Sequence, residues 1–209
     1  MIKIRTARKA DMAALYQITL ATGQYGADAS LVYQDPDLLG HIFAAPYLAH
    51  EPKSCFVAED THGVVGFVVG TPDTRRFETC LETDWWPDLR LRYPMSNYSM
   101  SNTQTREKLQ ADQRLCHMIH HPEIASDDLV HAFPAHMHLN LLPRAQGQGV
   151  GRGLFAIWCD SMRIEGVLAV HVGVSLQNPR ALGFWRKMGF HTIDQPISDS
   201  NWYGGYSLS

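Results

Sequence analysis

The chain has 209 residues, against roughly 150 for a typical domain, which allows one domain spanning 1–209 and carrying an insertion. With 45% hydrophobic and 19% charged residues it can bury a core, which excludes disordered and fibrous classes. Eighteen Lys and Arg against 21 Asp and Glu leave a net charge of -3, the wrong sign for a general electrostatic grip on nucleic acid.

The first residues, Met1 to Arg5, alternate as a short strand and lack the apolar run of a signal peptide. No apolar stretch reaches the ~18 residues of a membrane span, so no membrane partner is expected. Asp11 then precedes Met12, Leu15, Tyr16 and Ile18, spaced as one face of a helix. After Gly23–Gly26, residues Asp37 to Phe43 read as a second helix, ended near Pro46 by the donor that proline lacks. Ser54–Glu59 and Val64–Gly70 flank Asp60-Thr61-His62-Gly63 and read as an antiparallel hairpin. Cys55, Cys80, Cys116 and Cys159 form no Cys-x-x-Cys pair, so a reduced, cytoplasmic chain is expected.

From about 74 to 130 the pattern changes to a helical insertion. Phe77, Cys80, Leu81 and Trp85 have helical spacing, a polar helix covers Thr105 to Ile119, and Pro94–Thr103 reads as a mobile loop. Asp84-Trp85-Trp86-Pro87 is a candidate wall for a cationic amine, with core packing as the alternative. His117, His120, His121 and His131 lack a companion Cys or Glu at any ligand spacing, so no metal is expected.

The second half reads strand (His136–Leu142), glycine loop, helix (Gly149–Ile164), strand (Val167–Ser175). A further helix follows, opened by Asn178-Pro179 and closed at Gly189, and then two strands, Phe190–Asp194 and Tyr203–Leu208. The loop Gln146-Gly147-Gln148-Gly149-Val150-Gly151 sits between strand and helix, where backbone N–H groups and the helix dipole converge on an anion such as a phosphate. A P-loop is excluded, because Arg152-Gly153 stands where Lys and Ser or Thr are needed. A Rossmann site is disfavoured, because the loop comes late and the residues near Val170 are apolar.

The third owner of such a loop is the GNAT superfamily of N-acetyltransferases. Gln146, Gly149 and Gly151 match its (Gln or Arg)-x-x-Gly-x-(Gly or Ala) signature, and Leu139-Asn140-Leu141-Leu142-Pro143 resembles its fourth strand. Asn178-Pro179-Arg180-Ala181 with Phe184-Trp185-Arg186-Lys187-Met188-Gly189-Phe190 resembles its Asn-x-x-Ala then Tyr-x-x-x-Gly-Phe helix. Ala45-Pro46-Tyr47, Ser54-Cys55-Phe56, Glu59-Asp60, Gly63-Val64-Val65-Gly66 and Gly70-Thr71 resemble the acetyltransferase-like C-terminal domain of animal O-GlcNAcases and its free-standing bacterial relatives.

The resemblance implies an α/β fold, with about seven mostly antiparallel strands forming a mixed sheet and helices on both faces. It implies acetyl-CoA as cosubstrate, CoA as product and no metal. The backbone of Leu141 and Leu142 would pair with the pantetheine. The loop Gln146, Gly147, Gln148, Gly149, Val150, Gly151 and Arg152 would hold the pyrophosphate, and Asn178 would touch CoA. Trp185 stands at the family's tyrosine position beside the cofactor, and an indole cannot serve as the proton donor; Tyr203 and Tyr206 are substitutes.

The acceptor is expected to be a primary amine of a small molecule or peptide. For the base, His136, His138 and Asn140 share one strand face, and His138 is the candidate, with Asp84 or water as alternatives. As base it implies a rate that rises with pH through the imidazole's own pKa. The alternative to an N-acetyltransferase is a CoA-binding pseudo-acetyltransferase acting as a regulatory or interaction module, consistent with Trp185.

Overall fold

The computed structural model describes residues 2–95, 103–194 and 200–209, excepting the side chains of 103–109. The strands are β1 (Lys3–Thr6), β2 (Phe56–Asp60), β3 (Gly63–Thr71), β4 (Ala135–Leu141), β5 (Ala169–Ser175), β6 (His191–Thr192) and β7 (Asn201–Ser207). They form one sheet in the order β1-β2-β3-β4-β5-β7-β6. Every neighbouring pair is antiparallel except β4 and β5, which run parallel. This is the mixed, mostly antiparallel seven-stranded sheet that the sequence led us to expect.

Helices cover both faces. On one lie α1 (Met12–Ala21), α2 (Leu38–Phe43) and α3 (Ala45–His50), joined by the insertion helices α4 (Thr74–Asp84), α5 (Trp86–Arg92), α6 (Thr103–His120) and α7 (Asp127–Ala132). On the other lie α8 (Val150–Ile164) and α9 (Pro179–Lys187). Strand alternation sorts side chains between the two cores. Val57, Phe67 and Val69 join Leu15, Ile18 and Tyr47 on the first face, while Ala135, Met137, Val170 and Val172 join Leu154, Trp158 and Met162 on the second. Helix α8 has its apolar face at Val150, Leu154, Trp158 and Met162, and Trp158 is wholly buried against the sheet.

One reading is corrected. Pro46 does not end the second helix: α2 stops at Phe43, and Pro46 lies in the first turn of α3, where its missing N–H costs nothing. For Trp85 and Trp86 the alternative expectation, core packing, is what the structure shows. Trp86 is buried, and the Trp85 indole donates 2.9 Å to the His41 carbonyl, so both are structural. Thr74–Asp84 and the polar helix are present as expected, with α5 and α7 added around them. The loop expected over 94–103 falls mainly outside the described residues.

Candidate active site

β4 and β5 are hydrogen-bonded neighbours for only two residue pairs, Ala135 with Val170 and His136 with His171. Beyond His136 the strands diverge, leaving a cleft at the C-terminal end of β4. Leu142 N donates 2.8 Å to Val65 O. Given the β3–β4 register, the alternation of an antiparallel ladder turns the backbone of His136, His138 and Asn140 toward β3 and that of Leu139 and Leu141 toward β5. With β5 gone from that edge, Leu139 and Leu141 present backbone groups to the cleft with no ladder partner there.

Leu141, expected to pair with a pantetheine, is thus suitably placed. Leu142 is not: its N–H is spent on Val65 and its carbonyl accepts from Ala145 N at 2.9 Å. Leu139 turns its backbone to the same edge as Leu141, a relation hidden in the sequence because it depends on which edge of β4 is paired.

Below this cleft lies the N-terminus of α8. Its cap residue, Gly149, has φ 78°, and Gly147 has φ 75°. Both are left-handed values that favour glycine, and at neither residue would an added Cβ meet any atom within 4 Å. Both positions therefore face open space. No side chain caps the helix and no acidic residue lies in its first turn, so the amides of Val150, Gly151 and Arg152, which have no partner inside a helix, remain available together with the exposed Arg152 guanidinium. Gln146 braces the loop by donating 2.8 Å to Leu141 O, and Gln148 by donating 2.7 Å to Arg144 O. Gly151 differs from the other two glycines, since a Cβ there would press at 3.2 Å on Leu141 and Phe184; it lets α8 approach β4 and α9. The donor set and the open cradle fit a pyrophosphate.

Asn178 and Trp185 have other duties. The Asn178 carbonyl oxygen accepts from Ala181 N at 3.0 Å and caps α9, leaving its amide nitrogen toward the α1–α2 connection at Gly26. Trp185 is 6% exposed and packs edge-on against Phe155, Phe184 and Phe190. It belongs to the core under α9 and not to a ligand surface. Tyr206 stacks on Phe190 in the same core. Tyr203 sits opposite Gly173 on the face that carries His171 and His136, and burial raises its pKa.

On that face the structure assembles a polar cluster. Tyr47 Oη lies 2.7 Å from His136 Nε2 and 3.1 Å from His138 Nε2. His136 Nδ1 lies 2.7 Å from Thr74 Oγ1, which is itself 2.7 Å from Pro134 O. His171 Nδ1 donates 2.8 Å to Phe133 O, its ring 5.5 Å from that of His136. Burial, followed by the neighbouring His171, pushes His138 down to about 4, and burial holds His136 well below the usual imidazole range. Both are neutral at pH 7. Asn140 Nδ2 donates 2.7 Å to Thr22 Oγ1, which ties the strand to α1. His136 and His138, expected to share one face of β4, are thus joined in one network on that face. Tyr47 and Thr74, its other members, were not legible as site residues because they lie 91 and 62 residues from their partners.

Residues 125–190 match the sequence model of the Acetyltransferase (GNAT) family. Over its whole length the chain superposes on the crystal structure of SsHAT with a TM-score of 0.87 and 34% identity, covering 98% of that chain. The chain belongs to the GNAT acetyltransferase family. The putative acetyltransferase yncA of Salmonella typhimurium, solved with its cofactor acetyl-CoA, shares the GNAT fold at a TM-score of 0.55 and 17% identity, covering 100% of this chain and 94% of that one. Among curated proteins the chain is 24% identical to the O-GlcNAcase of Rattus norvegicus over 184 residues, which is 88% of this chain and 19% of that protein. The chain thus spans about a fifth of the length of such relatives, and the GNAT match concerns that segment. No helix among the described residues is long and apolar enough to cross a membrane, and no group of three His, Cys, Asp or Glu among them is placed to hold a metal ion.

Proposed function

We propose that this protein transfers the acetyl group of acetyl-CoA to a primary amine. The observation that carries the reading is the open edge of β4, where Leu139 and Leu141 have no ladder partner on β5 and only the Leu141 carbonyl is taken, by Gln146, directly beside the uncapped, glycine-lined start of α8. Amides 150–152 and Arg152 hold the pyrophosphate, and the backbone of Leu139 and Leu141 takes the place of a missing strand against the pantetheine. Once bound, the thioester supplies an activated acyl group. An N–H from that edge polarises its carbonyl.

An ammonium acceptor must lose two protons overall as its N–C bond forms and the C–S bond breaks; one goes to the departing thiolate and one to solvent. His138 lies on the face of β4 that carries Tyr47 and His136 and serves as base. At about 4 it is some six units weaker than a lysine-type amine at ~10.4, a gap of about 8 kcal/mol. It therefore cannot strip a free ammonium. It acts on the N–H that becomes acidic once nitrogen has bonded to the acyl carbon, and the acceptor enters as its neutral amine. Amines of low pKa are favoured accordingly.

A second reading, a CoA-binding module without turnover, is favoured by Trp185, which buries an indole where the family resemblance puts a phenol. One experiment separates the two: thiol release from acetyl-CoA is followed with a panel of amines, while CoA-induced thermal stabilisation is measured on the same sample. Stabilisation with thiol release supports transfer; stabilisation with none supports the module. The unpaired thiols Cys55, Cys80 and Cys159 suit a reducing, cytoplasmic setting.

A further inference from the structure

The hydrogen-bond chain beside β4 has only one arrangement of protons. Thr74 Oγ1 and Pro134 O are 2.7 Å apart. Two oxygens at that distance need a hydrogen between them, and only the hydroxyl has one. The Thr74 proton therefore points to Pro134, and Thr74 Oγ1 can only accept from His136 Nδ1–H at 2.7 Å. A neutral imidazole carries one N–H, so His136 Nε2 is bare and accepts the Tyr47 hydroxyl proton at 2.7 Å. The oxygen of Tyr47, its proton spent, accepts from His138 Nε2–H at 3.1 Å. The lone pair of His138 is thereby left on Nδ1. That nitrogen has no hydrogen-bond partner among the described residues and is not one of the side-chain atoms sealed from solvent without a partner.

We infer that Tyr47, His136 and Thr74 are positioning residues, which lock His138 in the Nε2–H tautomer and aim its Nδ1 lone pair at the acceptor. The inference rests on the acetyl-transfer reading for its consequence, although the tautomer itself does not. The chain is an orienting device and not a conduit. It terminates on a peptide carbonyl that has no proton to pass on and cannot hold one near neutral pH, so a proton taken up at His138 Nδ1 must leave by the same nitrogen. The aromatic surroundings support the orienting role. Tyr47 stacks on Phe77 with centroids 4.5 Å apart, and Phe43 packs edge-on against His138. Among the described residues, His171 is the one other imidazole within ring contact of His136 outside the chain, and its Nδ1–H is committed to Phe133 O.

The test reads the tautomer directly by nitrogen NMR of histidine-labelled protein, and turnover separately. In the wild type, His138 should show a protonated Nε2 and a bare Nδ1. Tyr47→Phe keeps the stacked ring and removes the oxygen; the tautomer should become mixed, with kcat down about 100-fold and KM for acetyl-CoA unchanged. Thr74→Val, which touches neither Tyr47 nor His138 in the chain, should release the same preference at a distance, and Thr74→Ser should restore it. A bare Nε2 in the wild type, or an Nε2–H tautomer that persists in both Tyr47→Phe and Thr74→Val, overturns the inference, whatever the activity. If Tyr47→Phe does not fold, the Thr74 pair decides alone. If the tautomer is as stated but no amine yields thiol release, the acetyl-transfer reading fails instead, and with it the role of these residues in turnover.

Discussion

Asn140 and Thr22, 118 residues apart, are joined by a 2.7 Å hydrogen bond from the Asn140 amide to the Thr22 hydroxyl, whose own proton goes to Ile18 O. The bond holds the C-terminal end of α1, and so the start of the α1–α2 connection, against the strand that lines the cleft. Asn140→Leu leaves the Thr22 oxygen short of a donor in a buried place and should cost about 1–3 kcal/mol. The double variant with Thr22→Val should cost less than the sum of the single changes. Urea denaturation of the four proteins measures the coupling, and additive losses would show that the bond contributes nothing of its own.

The glycine loop should separate binding from folding. Gly149→Asp puts a carboxylate into the open cradle at a left-handed backbone position. It should abolish the rise in melting temperature with CoA, a rise that corresponds to about 2.7 kcal/mol at a hundredfold excess over Kd. The strain itself should cost about 1 kcal/mol. Gly151→Ala acts differently, because its Cβ meets Leu141 and Phe184 at 3.2 Å; it should lower stability modestly and weaken CoA binding through displacement of β4. Calorimetric titration of both variants checks this, and unaltered CoA affinity in Gly149→Asp would assign the loop a purely structural role.

Acid should unfold the protein earlier than its net charge implies. His138 is depressed from 6.5 to about 4 and His136 well below 6.5. Between those values the unfolded chain binds protons that the folded chain refuses, so the stabilising contribution is complete above about 6.5 and is lost as pH falls toward 4. For His138 alone the loss is on the order of 3 kcal/mol. Melting temperature against pH should fall steeply through this window, and His138→Gln should flatten the fall.

The same shifts change the expected rate profile. An imidazole already unprotonated above about 4 cannot set a limb near 6.5, as the sequence alone implied for His138. The limb should follow the acceptor: near 7.7–8.0 for an α-amine and higher for a lysine-type amine. Measuring kcat/KM against pH for one acceptor of each kind checks this, and a limb shared by both near neutrality would locate the titration on the protein.

Trp185→Tyr tests whether a phenol at this position would restore a proton donor. Because the indole is packed among Phe155, Phe184 and Phe190, the smaller ring with a buried hydroxyl should cost about 2 kcal/mol without raising turnover. Melting and thiol-release assays on one preparation suffice. A faster enzyme would mean that the side chain at 185 reaches the reacting atoms.

Local signals made the second half legible. β4 differs by one residue at each end from the strand expected at His136–Leu142, α8 ends at Ile164 as expected, and α9 begins at the Asn178 cap and stops before Gly189. Each boundary is written in a cap, a proline or a glycine, all of which act within a few residues. What the sequence did not show depends on partners far along the chain: Val65 takes the Leu142 N–H, Phe155 packs against Trp185, and Tyr47 and Thr74 set the His138 environment. No spacing rule reaches across such separations, and the insertion was read with fewer helices than it has, because α5 and α7 are only seven and six residues long and give the apolar spacing little length to repeat.

The two-pair ladder between β4 and β5 also divides the molecule's cooperativity. The unit of β5, β7, β6 and α9 is joined to the rest of the sheet by that short seam, by the contacts of His171 and His191 with Phe133 and by its packing on α8. Amide exchange without ligand should then show β5–β7 opening as a block at lower free energy than β2 and β3, an interior antiparallel pair. A ligand lying in the cleft would supply the pairing that the chain withholds, fusing two folding units into one.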